Sequence, residues 1–82
     1  MAGTVMSPSR TPRAVLVPRL QAARLAAALS QDDLAEKAGV SRITIARGEH
    51  GEHIRISSVR KLARALKVRP VDLYAPARPD AT

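Results

Sequence analysis

Apolar and polar residues along this chain fall into short blocks with helical spacing and clear punctuation. Leu20, Ala23, Ala27 and Ala28 recur at that spacing after Pro18, a residue suited to the first turn of a helix. Ser30 is a good N-cap for a second block. Asp32 and Asp33 sit in its first turn, where the helix dipole favours negative charge, and Leu34, Ala35 and Ala38 follow. Gly39 ends that block as a left-handed cap. Ser41 then caps a third segment, Arg42 to about Glu49, and a polar loop follows from His50 to Arg55. A fourth helix is expected from Ile56 or Ser57 to Leu66. It places Ile56, Val59, Leu62, Ala63 and Leu66 on one face and Arg60, Lys61, Arg64 and Lys67 around the other. Pro70 opens a last short helix carrying Val71, Leu73 and Tyr74. No run alternates with period two over a useful length. The expected fold is all-α, with five short helices.

The ends of the chain have a different composition. Residues Met1 to Arg13 hold Gly3, two Pro, two Ser and two Thr, carry Arg10 and Arg13, and offer little apolar surface to repay the entropy of ordering. Residues 1–17 are therefore expected to be a disordered basic arm. Within it the apolar run Ala14-Val15-Leu16-Val17 is able to dock, with Pro18 stopping its extension as a strand. Residues 18–75 form the expected domain and 76–82 a tail.

Charge narrows the function. The 82 residues carry fourteen Lys and Arg against seven Asp and Glu, a net charge of +7. Residues 18–75 alone hold eleven against six, or +5, so most of the charge belongs to the domain. That balance points to a polyanionic partner, either nucleic acid or an anionic membrane surface. A membrane-surface helix would use bulky apolar anchors, but the chain has no Trp and no Phe, and Leu62 and Leu66 are needed for a small core. The longest apolar run, Leu25 to Leu29, is far too short to cross a bilayer. With no cysteine there is neither a disulfide framework nor a thiolate metal site.

The most informative stretch is Gln31 to His50, where two segments of about eight residues meet at Gly39-Val40-Ser41. Ala35 is small enough for a close, steep crossing, Gly39 permits the positive φ of a tight turn, and Leu34, Val40 and Ile45 fill the space between. This is the pattern of a helix-turn-helix, whose second helix lies in the DNA major groove. If Ile45 points inward, residues two away lie about 200° around the helix and face out. Those residues are Ile43 and Arg47. Ser41, Arg42 and Thr44 cluster at the end such a helix presents to DNA. Arginine can bridge guanine O6 and N7, and an exposed isoleucine can touch a thymine methyl.

Taken together, Arg24, Leu29-Ser30-Gln31, Leu34-Ala35, Ala38-Gly39-Val40-Ser41, Thr44-Ile45, Glu49 with Gly51, Leu62-Ala63, Ala65-Leu66, Val68 and Leu73 resemble the lambda-repressor/Cro-like (Xre) helix-turn-helix domain. The likeness spans Arg19 to Tyr74. It implies five helices with Arg42–Glu49 as recognition helix, Gln31 and Ser41 near phosphate, and Arg42, Ile43 and Arg47 facing base edges. It also implies a structural pairing of Arg24 with Glu49. One position departs from the pattern, because the residue before Glu49, usually large and apolar, is Gly48. The third helix is therefore expected to be short or frayed at its end unless Val15 to Val17 fill the gap, and Gly48→Leu is expected to stabilise.

The expected function is that of a sequence-specific regulator of transcription, a repressor or autoregulator, that binds double-stranded DNA as a homodimer without cofactor. Base contacts fall to Arg42, Ile43, Thr44 and Arg47. Backbone contacts fall to Gln31, Ser41, His50, Arg55, Arg60, Lys61, Arg10 and Arg13. Ala35 and Gly39, with Arg24 and Glu49, are structural. The last helix, with Leu73 and Tyr74, is the expected place for a dimer interface. A cytoplasmic, nucleoid-associated location follows from this role. The alternative is an antitoxin-type module that uses the same domain to bind a toxin or other protein. The doubled Gly-Glu-His of residues 48–53 has neither the order nor the third ligand of a zinc site, and no metal is expected there. No nucleophile stands with a base and an orienting acid, so no enzyme is expected.

Overall fold

A computed structural model describes residues 13–74, so Arg10 and the tail at 76–82 lie outside the described residues. Five helices form in the expected order: α1 (Leu20–Ala26), α2 (Gln31–Ala38), α3 (Arg42–Glu49), α4 (Ile56–Leu66) and α5 (Val71–Tyr74). The helix ends show why. Ser30 Oγ accepts from the Asp33 N–H at 2.9 Å and Asp33 Oδ2 accepts from the Ser30 N–H at 3.2 Å, a reciprocal capping box. Gly39, at φ 74°, turns the chain out of α2, and Ser41 Oγ caps α3 by accepting from the Thr44 N–H at 3.0 Å. The link between α2 and α3 is thus set by two caps and one left-handed residue.

Leu20, Leu34, Ile45, Ile54, Val59, Leu62, Ala63 and Leu73 form one core, joined by Val17. Helix α1 packs on α3 and α5, while α2 packs on α3 and α4. Ala35 is half-buried and packs against the core, as a close α2–α3 crossing needs.

Two features differ from the sequence expectations, and a third follows the alternative allowed for Gly48. First, α1 stops at Ala26, and Ala27 and Ala28 leave the core face to become exposed. Ala28 takes φ 60°, and its neighbour Leu29 donates to the Arg24 carbonyl at 3.2 Å, closing the end of the helix. Second, a small antiparallel pairing joins β1 (Ala14–Val15) to β2 (Ile54–Arg55), with Ala14 opposite Arg55 and Val15 opposite Ile54. Two residues per strand are too few to leave a period-two signal. The described chain is thus paired to the domain ahead of Pro18, and the Arg13 carbonyl accepts from the Ile56 N–H at 2.8 Å.

Third, α3 runs through Gly48 to Glu49 without fraying, because Val17 fills the space left by the missing side chain. A Cβ added at Gly48 would lie 2.9 Å from Val17 Cγ2 and 3.2 Å from Leu20 Cδ2. That contact opposes the gain expected from a leucine at this position. Leu73, expected at an interface, is instead fully buried in the core, whereas Val71 and Tyr74 of the same helix are partly exposed. Among the described residues, no helix is long and apolar enough to cross a membrane.

Candidate nucleic-acid interface

Helix α3 is anchored on one side and open on the other. Ile45 and Gly48 are buried, while Arg42, Ile43 and Arg47 are exposed, Ile43 at 65% despite being apolar. The rotation that buries Ile45 turns Ile43 and Arg47 outward.

The anchor is charged. Arg24 donates to Glu49 through Nε at 2.5 Å and Nη2 at 3.0 Å, and its Nη1 donates to the Leu29 carbonyl at 2.8 Å. Their side chains are only 9% and 5% exposed. A fork of two parallel bonds fixes the end of α3 against the end of α1 in distance and in angle. Gln31 joins them, its Nε2 donating to Glu49 Oε1 at 3.0 Å. Burial pushes the Glu49 carboxyl up, but the hydrogen bonds from Arg24 and Gln31 with the Arg24 charge outweigh it and hold the pKa below its usual value. The hydrogen bond to Glu49 raises Arg24 against the opposing effect of burial, and the Glu49 charge adds to the rise.

The remaining candidate residues are distributed as follows. Ser41 and Thr44 have their hydroxyls 2.9 Å apart at the N-terminus of α3, and Thr44 is half-buried. Gln31, expected near phosphate, is half-buried and bound to Glu49. His50 caps the C-terminus of α3 and is exposed. Arg13, Arg55, Arg60 and Lys61 are exposed, with Arg13 and Arg55 brought together at the β1–β2 pairing and the other two on α4. Arg10 lies outside the described residues.

Sequence patterns do not reveal two acidic neighbours. Asp32 Oδ1 lies 3.2 Å from Arg42 Nε, and Glu52 Oε1 lies 4.0 Å from Arg47 Nε. Glu52 is placed by its own N–H, which donates to the Arg47 carbonyl at 2.9 Å after Gly51 turns left-handed at φ 95°. Within the doubled Gly-Glu-His, Glu49 is thus tied to Arg24 while Glu52 faces Arg47. Asp32 meets Arg42 across the α2–α3 turn and Glu52 meets Arg47 through the loop after α3, and neither contact follows a single-helix period.

Comparison with known proteins gives a consistent result. The helix-turn-helix family profile matches residues 20–73. The chain is similar to the restriction-modification controller protein C.AhdI from Aeromonas hydrophila. That likeness has 34% identity and a TM-score of 0.65, over 70% of this chain and 88% of that one. It is also similar to a hypothetical transcription factor, NHTF, from Neisseria, at 28% identity and a TM-score of 0.68, over 92% of this chain and 87% of that one. No curated protein matches.

Proposed function

The chain belongs to the helix-turn-helix family, as a DNA-binding regulator of the lambda-repressor-like (Xre) kind, and we propose that it reads a specific operator with α3 in the major groove. The observation that carries this reading is the outward pair Ile43 and Arg47, with Arg42 beside them, on a helix whose other face is held by Ile45, Gly48 and the Arg24–Glu49 fork. An anchored helix with an exposed, basic face is what base readout requires.

Two sets of residues divide the work. Arg42, Ile43, Thr44 and Arg47 supply discrimination, at roughly 1–3 kcal/mol for each bidentate arginine–guanine contact. Backbone contacts from Ser41, Gln31, His50, Arg55, Arg60, Lys61, Arg13 and Arg10 supply affinity that falls with salt. Gln31 has a second amide hydrogen beyond the one given to Glu49, so its structural role leaves a donor for phosphate. A domain this small covers one half-site. The regulator therefore acts as a homodimer on a near-palindrome with half-sites about 34 Å apart, and as a repressor or autoregulator.

Selection of bound sites from random duplex DNA at two salt concentrations tests the proposal. A two-fold symmetric motif that persists as salt rises is the expected result. Enrichment of no motif at either salt would refute it.

A further inference from the structure

The first turn of α2 carries two adjacent aspartates with different employment. Asp33 belongs to the capping box, its carboxylate accepting from the Ser30 N–H. Asp32 takes no part in that cap, and its carboxylate lies across the turn, 3.2 Å from Arg42 Nε at the start of α3. The two side chains are 79% and 63% exposed, so their mutual attraction adds little to folding stability. Placing an acid here also has a cost for binding, because it stands beside side chains proposed to approach phosphate. The helix dipole accounts for a carboxylate in this first turn, but not for its placement beside Arg42.

Geometry supplies a role. A guanidinium has five N–H donors in a fixed plane. A carboxylate paired by charge beside Nε leaves the outer edge, formed by the two Nη groups, free to bridge guanine O6 and N7. An unpaired arginine at the same place samples many rotamers and pairs readily with any phosphate. We propose that Asp32 is a specificity-determining positioning residue whose charge beside Nε biases the Arg42 guanidinium toward presenting its Nη edge to the major groove and away from the DNA backbone. This rests on the reading of α3 as the base-reading helix. Glu52 stands in the same relation to Arg47 but farther off, at 4.0 Å against 3.2 Å, so the positioning role is assigned to Asp32.

The signature is a change in discrimination rather than in affinity. Asp32→Asn removes the charge and keeps the size, at an exposed position outside the capping box. Binding of the full chain to its selected operator is compared with binding to operators substituted at each base pair and to a scrambled duplex. Asp32→Asn is expected to lower discrimination about 2- to 5-fold at the base pair read by Arg42, the range of an exposed ion pair's coupling. It is expected to strengthen binding to the scrambled duplex. In an Arg42→Ala background the same change should leave discrimination untouched, since coupled residues are not additive. The proposal is overturned if Asp32→Asn shifts all sequences by one factor, or if its effect on discrimination persists without Arg42. If Arg42→Ala alone leaves the motif unchanged, the failure lies in the base-reading assignment on which the proposal rests.

Discussion

Gly48 is the position at which packing and local propensity make opposite predictions for the same substitution. Alanine is better than glycine in a helix interior by about 0.8–1.0 kcal/mol, so propensity alone has Gly48→Ala stabilise. The new Cβ, however, would stand 2.9 Å from Val17 Cγ2 and 3.2 Å from Leu20 Cδ2. Carbon atoms rest at about 3.5–4.0 Å, so Val17 must retreat by roughly 0.6 Å or more. It has little room to do so. Val17 is 2% exposed, its carbonyl accepts from the Leu20 N–H at 3.0 Å, and the chain just before it is paired with β2. Overpacking of this kind costs about 1–3 kcal/mol, which offsets the propensity gain and exceeds it. Gly48→Ala is expected to destabilise by about 1 kcal/mol, lowering Tm by roughly 4–8 °C for a domain of this size. Gly48→Leu should cost more. Thermal and urea unfolding of Gly48→Ala, Val17→Ala and the double variant measure the effect. In the double variant the alanine at 48 should cost less than it does alone, because shortening Val17 removes the clash. A rise in Tm for Gly48→Ala or Gly48→Leu would refute the reasoning.

Other outcomes follow from the same contacts. Removing one partner of a buried ion pair leaves the other uncompensated, so Glu49→Ala should destabilise by about 3 kcal/mol or more, measured by urea unfolding. The Glu49 pKa is lowered in the folded state, so its contribution is fully present above the unfolded-state value of about 4.3 and is lost as pH falls through the lower folded-state value. An acid titration of stability should therefore decline below about pH 4 in the wild type, and less steeply in Glu49→Gln. Ala28→Gly should stabilise by about 0.5–1 kcal/mol, because Ala28 sits at φ 60° where a Cβ is strained; an unchanged Tm would count against strain there. Arg60→Ala should weaken binding to all sequences about equally and reduce the salt slope by about one unit.

The parts of this molecule that were legible in its sequence are those governed by local rules. Ser30, Gly39 and Ser41 act within one turn of the backbone they cap, so the ends of α2 and the start of α3 could be placed from single residues. The apolar face of α4 has a period set by its own backbone. The Arg24–Glu49 fork joins residues twenty-five positions apart, and nothing in the spacing points to it; a resemblance to a known family did. Val17 belongs to the run expected to dock and to fill the gap at Gly48, whereas Ile54 lies in a short segment with no period and reads as loop. The C-terminal end of α1 differs because alanines read as core even where the chain has already left the helix. The exposed basic face of α3 was legible from the inward position of Ile45, but the carboxylates beside Arg42 and Arg47 were not, because turn geometry brings them there.

Arg47 gives the most direct measurement of whether α3 reads bases. Binding of wild type and Arg47→Ala to the selected operator and to a scrambled duplex is titrated over a range of salt. Arg47→Ala is expected to lose about 10-fold or more in operator affinity while binding to the scrambled duplex falls only by the loss of one charge. An operator-to-scrambled ratio that Arg47→Ala leaves unchanged would contradict the assignment of α3 as the reading helix.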